Sequence, residues 1–255
     1  MARGDKLTAR WHSDRLGRQV QLVRWGTLGQ PVLLFPTAGG DAEEIERFHM
    51  IDVLGPLLDA GRIKIYSCDS VAGKALITRE GTPGHQMWLQ NQFHQYVRHE
   101  VVPAIHADCH MTGKTTDVGI WTAGASIGAF HAAATVCRFP DVFTKALALS
   151  GTYDLRRFYD ASKFSDDFWV SSPLHFLPSL SGHHLDVLRR RYIFLGSGEG
   201  KAEDIGESWN LANALGAKGV PNRVESWGKE TPHDWITWRR HLPRLLGEWT
   251  SGGER

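Results

Sequence analysis

The chain has 255 residues, 42% hydrophobic and 22% charged, with ten tryptophans and a formal net charge of +1. Such a composition can bury a sizeable core and excludes a disordered chain. With 29 basic against 28 acidic residues, no global field draws nucleic acid or an anionic membrane, so neither is an expected partner. One domain spanning 1–255 is the expectation for this length.

The opening "MARGDKLTARWHSDRLGRQ" is charged and lacks the apolar stretch of a signal peptide. Nowhere do about 18 uncharged apolar residues run together, so a soluble, cytoplasmic protein is expected. "QVQLVRW" (19–25) then alternates polar and apolar residues, as an exposed antiparallel edge strand does. Further strands are predicted at "PVLLFP" (31–36), "RIKIYSC" (62–68), "DVGIWTA" (117–123), "KALALSG" (145–151), "RYIFLGSG" (191–198) and "NRVESWG" (222–228). Between them, helical patterns cover 42–60, 88–107, 127–138, 205–217 and 234–249. This alternation predicts an α/β fold, a mostly parallel central sheet with helices on both faces. Residues 155–187 are rich in aromatics, Ser and Asp, hold no steady period, and are expected to form a short lid-like excursion. Cys68, Cys109 and Cys137 are odd in number and lack CxxC spacing, so they read as packing residues and not as a disulfide or zinc framework.

Where the fourth of these strands gives way to a helix, Gly124-Ala125-Ser126-Ile127-Gly128 reads G-x-S-x-G. That is the nucleophile-elbow pattern, in which a serine is held in a strained turn and small neighbours let strand and helix approach. A serine hydroxyl needs a base, and in this chain order the histidine follows it. Of thirteen histidines, His233 in "TPHDW" is best placed, after the last strand and before the last helix. His131, on the elbow helix itself, reads as packing or pocket lining. The acid that orients the imidazole is expected after "RYIFLGSG", where Glu199 lies between Gly198 and Gly200. Glu203 and Asp204 suit the start of the next helix instead, and Asp154 in "SGTYDL" is the competitor. Oxyanion donors are expected at the backbone amide of Ile127 and in the loop "FPTAGGD", which is no P-loop because the Lys-Ser or Lys-Thr pair is absent.

These segments resemble the putative esterase family of the α/β-hydrolase superfamily, which includes esterase D, enterochelin esterase, feruloyl esterase domains and mycolyltransferases. The resemblance rests on "FPTAGGD", "AGASIGAFHA", "LSGTYDL", "GSGEG" and "PHDWITWRRHL". It implies an α/β-hydrolase fold, a triad of Ser126, His233 and Glu199, and oxyanion donors at Ile127 and Ala38. Pro36-Thr37 stands where relatives carry His-Gly, and the acid is Glu where Asp is common.

The expected activity is serine carboxylic-ester hydrolysis through an acyl-enzyme on small or medium esters, with no metal and no organic cofactor. Acyl transfer or thioester hydrolysis on the same triad, or a silent binding protein of this fold, are the alternatives. Phe168 and Trp169 of the excursion, with Trp235 beside His233, are the candidate substrate contacts. The sequence sets no oligomeric state, and a homo-oligomer stays open.

Overall fold

Successive residues of a strand face opposite sides of a sheet, so a strand buried on both faces reads as an unbroken apolar run. In the computed structural model, which describes residues 6–113 and 119–252, this holds for the central strands. Val32 and Leu34 of β3 (Gln30–Phe35) join one core with Ile63 and Ile65 of β4 (Ile63–Cys68). Leu33 and Phe35 join the other with Tyr66 and Cys68. The remaining strands are β1 (Leu7–Ser13), β2 (Arg18–Trp25), β5 (Ile120–Ala125), β6 (Phe143–Leu149), β7 (Tyr192–Ser197) and β8 (Asn222–Ser226). They form one sheet in the order β1-β2-β4-β3-β5-β6-β7-β8. β1 and β2 run antiparallel to their neighbours, and every pair from β4 to β8 is parallel.

The expected antiparallel strand at 19–25 is present as β2, but it is not the edge. β1 covers it, and its own side chains are mostly exposed, which leaves no apolar periodicity to mark it. The first residues of the predicted strand at 117–123, and the start of the N-terminal segment read for a signal peptide, lie outside the described residues.

Helices cover both faces. On one lie α1 (Glu44–Arg47), α2 (Met50–Asp59) and α11 (Trp235–Thr250). On the other lie α3 (Val71–Thr78), α4 (Pro83–Tyr96), α5 (Val102–Met111), α6 (Ile127–Arg138) and α10 (Ile205–Ala217). The expected helix at 42–60 is split, because His49 takes a left-handed conformation with φ 61° between α1 and α2. The helix expected at 88–107 is longer, running from α4 into α5 through a π turn at Val97–Val101. Pro103 has no N–H to complete the regular ladder, and the wider turn accommodates its ring. The 155–187 segment forms α7 (Asp166–Ser171), α8 (Pro173–Phe176) and α9 (Gly182–Leu188), resting on α4, α6 and α10. All three cysteines are free and buried, and among the described residues no helix is long and apolar enough to cross a membrane.

Candidate active site

β5 ends at Ala125 and α6 begins at Ile127, so a single residue reverses the chain. Ser126 does so at φ 58° and ψ −124°, a strained conformation for a residue with a side chain. Its neighbours are small of necessity. A Cβ on Gly124 would lie 2.3 Å from the carbonyl carbon of Gly128, and one on Gly128 would lie 2.5 Å from the carbonyl oxygen of Phe35. The elbow is thereby pressed against the end of β3, and the Ser126 amide donates to the Leu149 carbonyl at 3.0 Å, tying it to the end of β6 as well.

Beside the elbow, the loop after β3 is braced from below. Glu44, buried, accepts from the Thr37 amide at 2.7 Å and from Thr37 Oγ1 at 2.6 Å. Burial pushes the Glu44 carboxyl above the ordinary carboxylate range. The Gly40 amide donates to the Thr37 carbonyl at 3.1 Å, whereas the Ala38 amide has no acceptor among the described residues. Ile127, first residue of α6, carries one of the unspent amides of a helix start. Thr37 and Glu44 thus hold the loop that carries Ala38.

His233 lies in the turn before α11, with its amide donating to the Lys201 carbonyl at 3.1 Å. Asp234 is the N-cap of that helix, its Oδ1 accepting from the Thr237 amide at 2.9 Å. The carboxylate facing His233 is Glu203, with Oε2 3.6 Å from Nδ1, and not the expected Glu199. The reason is the path of the glycine-rich turn. Gly198 and Gly200 press bare backbone onto Thr231, whose oxygen would lie 2.0 Å from a Cβ on Gly198. The Glu199 amide is held by the Gly228 carbonyl, and its side chain turns outward to accept from Ser226 Oγ. Ala202, at φ 64°, then reverses the chain and sends Glu203 inward. Asp154 is engaged elsewhere, in an ion pair with Arg156 at 2.5 Å.

A family model described as "Putative esterase" matches residues 67–248, well over half of the chain. The chain belongs to this esterase family. No curated protein sequence matches it. Among solved structures, it is similar to a ferulic acid esterase at 17% identity, covering 97% of this chain and 98% of that one with a TM-score of 0.72. It is similar to an S-formylglutathione hydrolase from Agrobacterium tumefaciens at 10% identity, covering 98% and 95% with a TM-score of 0.69. It also matches the enterobactin esterase of Shigella flexneri at 17% identity over 96% of this chain and 59% of that one, with a TM-score of 0.67. At these identities the likeness is one of fold, and the fold is the α/β-hydrolase type.

In this esterase, the residues expected to contact substrate are placed differently from one another. Phe168 is 1% exposed and packs among Tyr159, Phe164, Trp169 and His175, so it presents no face to a ligand. Trp169 is exposed, and Trp235 stacks on the exposed Phe48 with centroids 4.8 Å apart. An apolar slot of about 10 Å³, room for about one water, is lined by Thr37, Met50, Ala125, Leu149, Trp235 and Trp238 among others. A wider groove of about 610 Å³ lies away from the elbow, between His12, Arg15, Trp88 and Glu100. Ser126 Oγ and His233 make no direct hydrogen bond in this structure. Catalytic hydrogen bonds are often long without substrate. Sequence reasoning missed Ser150 and Ser197, whose hydroxyls meet Glu203; no local pattern distinguishes them.

Proposed function

We propose that this esterase hydrolyses small or medium carboxylic esters through an acyl-enzyme on Ser126, with His233 as general base and Glu203 as the acid that orients it. Ser126 Oγ attacks the ester carbonyl carbon while His233 Nε2 takes the hydroxyl proton. The carbonyl electrons move onto oxygen, where the amides of Ile127 and Ala38 receive the charge. Collapse of this intermediate breaks the bond to the alcohol, which leaves with the proton from His233. Water then repeats the sequence to release the acid and restore Ser126. Throughout, Nδ1–H faces Glu203, which keeps Nε2 free as the base and stabilises the imidazolium as it forms.

One observation carries this reading: a serine at φ 58° on a strand-to-helix turn shares its end of the sheet with a histidine 3.6 Å from a buried carboxylate. The narrow slot beside Ala125 supports short acyl groups. The neighbours are named for unlike substrates, so acyl preference is best measured on p-nitrophenyl esters of graded length, with a feruloyl ester and S-formylglutathione alongside. We expect the shortest chains to turn over best. A fluorophosphonate probe should label the parent and not Ser126→Ala; labelling that persists in the variant overturns the assignment.

A further inference from the structure

The two oxygens of Glu203 are held from both sides. Ser150 Oγ donates to Oε1 at 2.5 Å, and Ser197 Oγ lies 3.0 Å from Oε2, its one proton shared with the Gly198 carbonyl at 2.9 Å, around a side chain only 1% exposed. Ser197 is the last residue of β7, and Ser150 directly follows β6 with φ 51°. Adjacent parallel strands therefore end in two hydroxyls that flank one carboxylate. Ser150 Oγ also accepts from the indole Nε1 of Trp238 at 3.0 Å, and that indole is buried. An indole N–H can only donate, and a serine hydroxyl has one proton. With Trp238 donating into it, Ser150 must direct its own proton to Glu203. Trp238 meanwhile lies edge-on to the His233 ring, with centroids 5.1 Å apart at 87°. One side chain thus touches the imidazole directly and the carboxylate through a single hydroxyl.

We propose that Trp238 is a positioning residue of this active site, its N–H acting through Ser150 Oγ to set the rotation of Glu203 that presents Oε2 to His233. The proposal rests on the reading of Glu203 as the triad acid. Without the directed hydroxyl, Oε1 is a buried charged acceptor lacking a donor, and the carboxylate is free to turn toward another. The loss is felt as imidazolium forms, in the transition state, so it belongs in kcat and not in KM.

The test measures Trp238→Phe, Ser150→Ala, the double variant and Glu203→Gln on p-nitrophenyl acetate, with a thermal melt of each. Each of the first two should lower kcat by about tenfold with KM within about twofold. The double variant should fall no more than about twofold below the poorer single one, because both changes break the same relay. In a Glu203→Gln background, Ser150→Ala should cost less than about twofold. Losses that multiply in the double variant, or that appear in KM, make Trp238 a packing residue and overturn the proposal. Should Trp238→Phe fail to fold, Ser150→Ala decides: a folded variant with parental kcat overturns the relay. A near-parental Glu203→Gln overturns the acid assignment and the relay with it. A damaging Glu203→Gln beside silent Trp238→Phe and Ser150→Ala overturns the relay alone.

Discussion

Two groups of side chains in this molecule are built on histidine, and opposite charges face their rings. His233 is 24% exposed and faces a carboxylate. His94 and His131 are fully buried and face a cation and each other. Arg138 donates to His94 Nδ1 at 3.0 Å, and a guanidinium only donates, so the proton of neutral His94 sits on Nε2. That nitrogen lies 3.1 Å from both His131 Nδ1 and the Gln90 side-chain amide. Burial pushes His131 down to about 3 and, with Arg138 adding its charge, lowers His94 well below the ordinary range. Arg138 is itself pushed down to about 10 by burial. The acid linked to this group, Asp167, is hydrogen-bonded to it through Asn91, which accepts from Arg138. With no carboxylate in contact, either imidazolium would add a second buried positive charge. Lying five residues from Ser126 does not make His131 a base; the difference between the two groups lies in which charge faces the ring.

The largest effect expected from this contrast is at the nucleophile. Ser126→Ala should fold normally and lose about four to six orders of magnitude in turnover, whereas His131→Gln assayed at pH 7.5 should stay within about fivefold of the parent. A comparable loss in both would erase the distinction drawn here.

Next in size is the carboxylate. Glu203→Gln keeps the shape of the side chain while favouring the wrong imidazole tautomer, and should cost at least about a hundredfold in kcat/KM. Glu199→Gln and Asp154→Asn should each cost less than about threefold, since neither side chain touches His233. The reverse ranking would return the role to the glycine-rich turn.

A smaller loss is expected where the turn meets the histidine loop. Gly198→Ala places a Cβ 2.0 Å from the Thr231 carbonyl oxygen, a backbone atom that must move, and Thr231 lies two residues before His233. We expect about a tenfold loss in kcat from the displaced imidazole. Parental kinetics in a folded Gly198→Ala would mean that the loop tolerates the shift.

The last effect is on stability rather than on rate, and it belongs to the buried pair. Because the folded pKa values of His94 and His131 lie below those of the unfolded chain, the unfolded state takes up more protons in the window between them. The His131 contribution is therefore complete above about pH 6.5 and declines as pH falls toward about 3, by about 1.4 kcal/mol per pH unit; the His94 contribution declines in the same direction. Melts at constant ionic strength from pH 7.5 to 5 should show this decline, shallower in His131→Gln. Equal slopes in parent and variant would mean that His131 does not resist protonation.

The elbow was legible in the sequence because its requirements are local. A strand, a serine between glycines and a helix occupy contiguous positions, and the close approach that excludes a Cβ at Gly124 involves Gly128, four residues away. His233 was legible for a similar reason, as the histidine of the turn between the last strand and the last helix. β1 was not, because its exposed side chains carry no apolar rhythm. Nor was the contact between Glu203 and His233, because an acid at that position equally suits a helix start.

The sequence by itself determined the alternation of strands and helices from β2 onward, the serine that reverses the chain, and the histidine that follows the last strand. These depend on backbone sterics and burial periodicity within a few consecutive residues. Only the tertiary structure decided which carboxylate meets the imidazole. That choice depends on Gly198 and Gly200 packing against Thr231, on the left-handed turn at Ala202, and on Ser150, Ser197 and Trp238 converging on one buried side chain. Residue 150, the pair 197 and 203, and the pair 233 and 238 come from three separate segments of the chain. They become neighbours only because parallel strands deliver their ends to the same edge of the sheet, and a carboxylate selects its hydrogen-bond donors by distance in space.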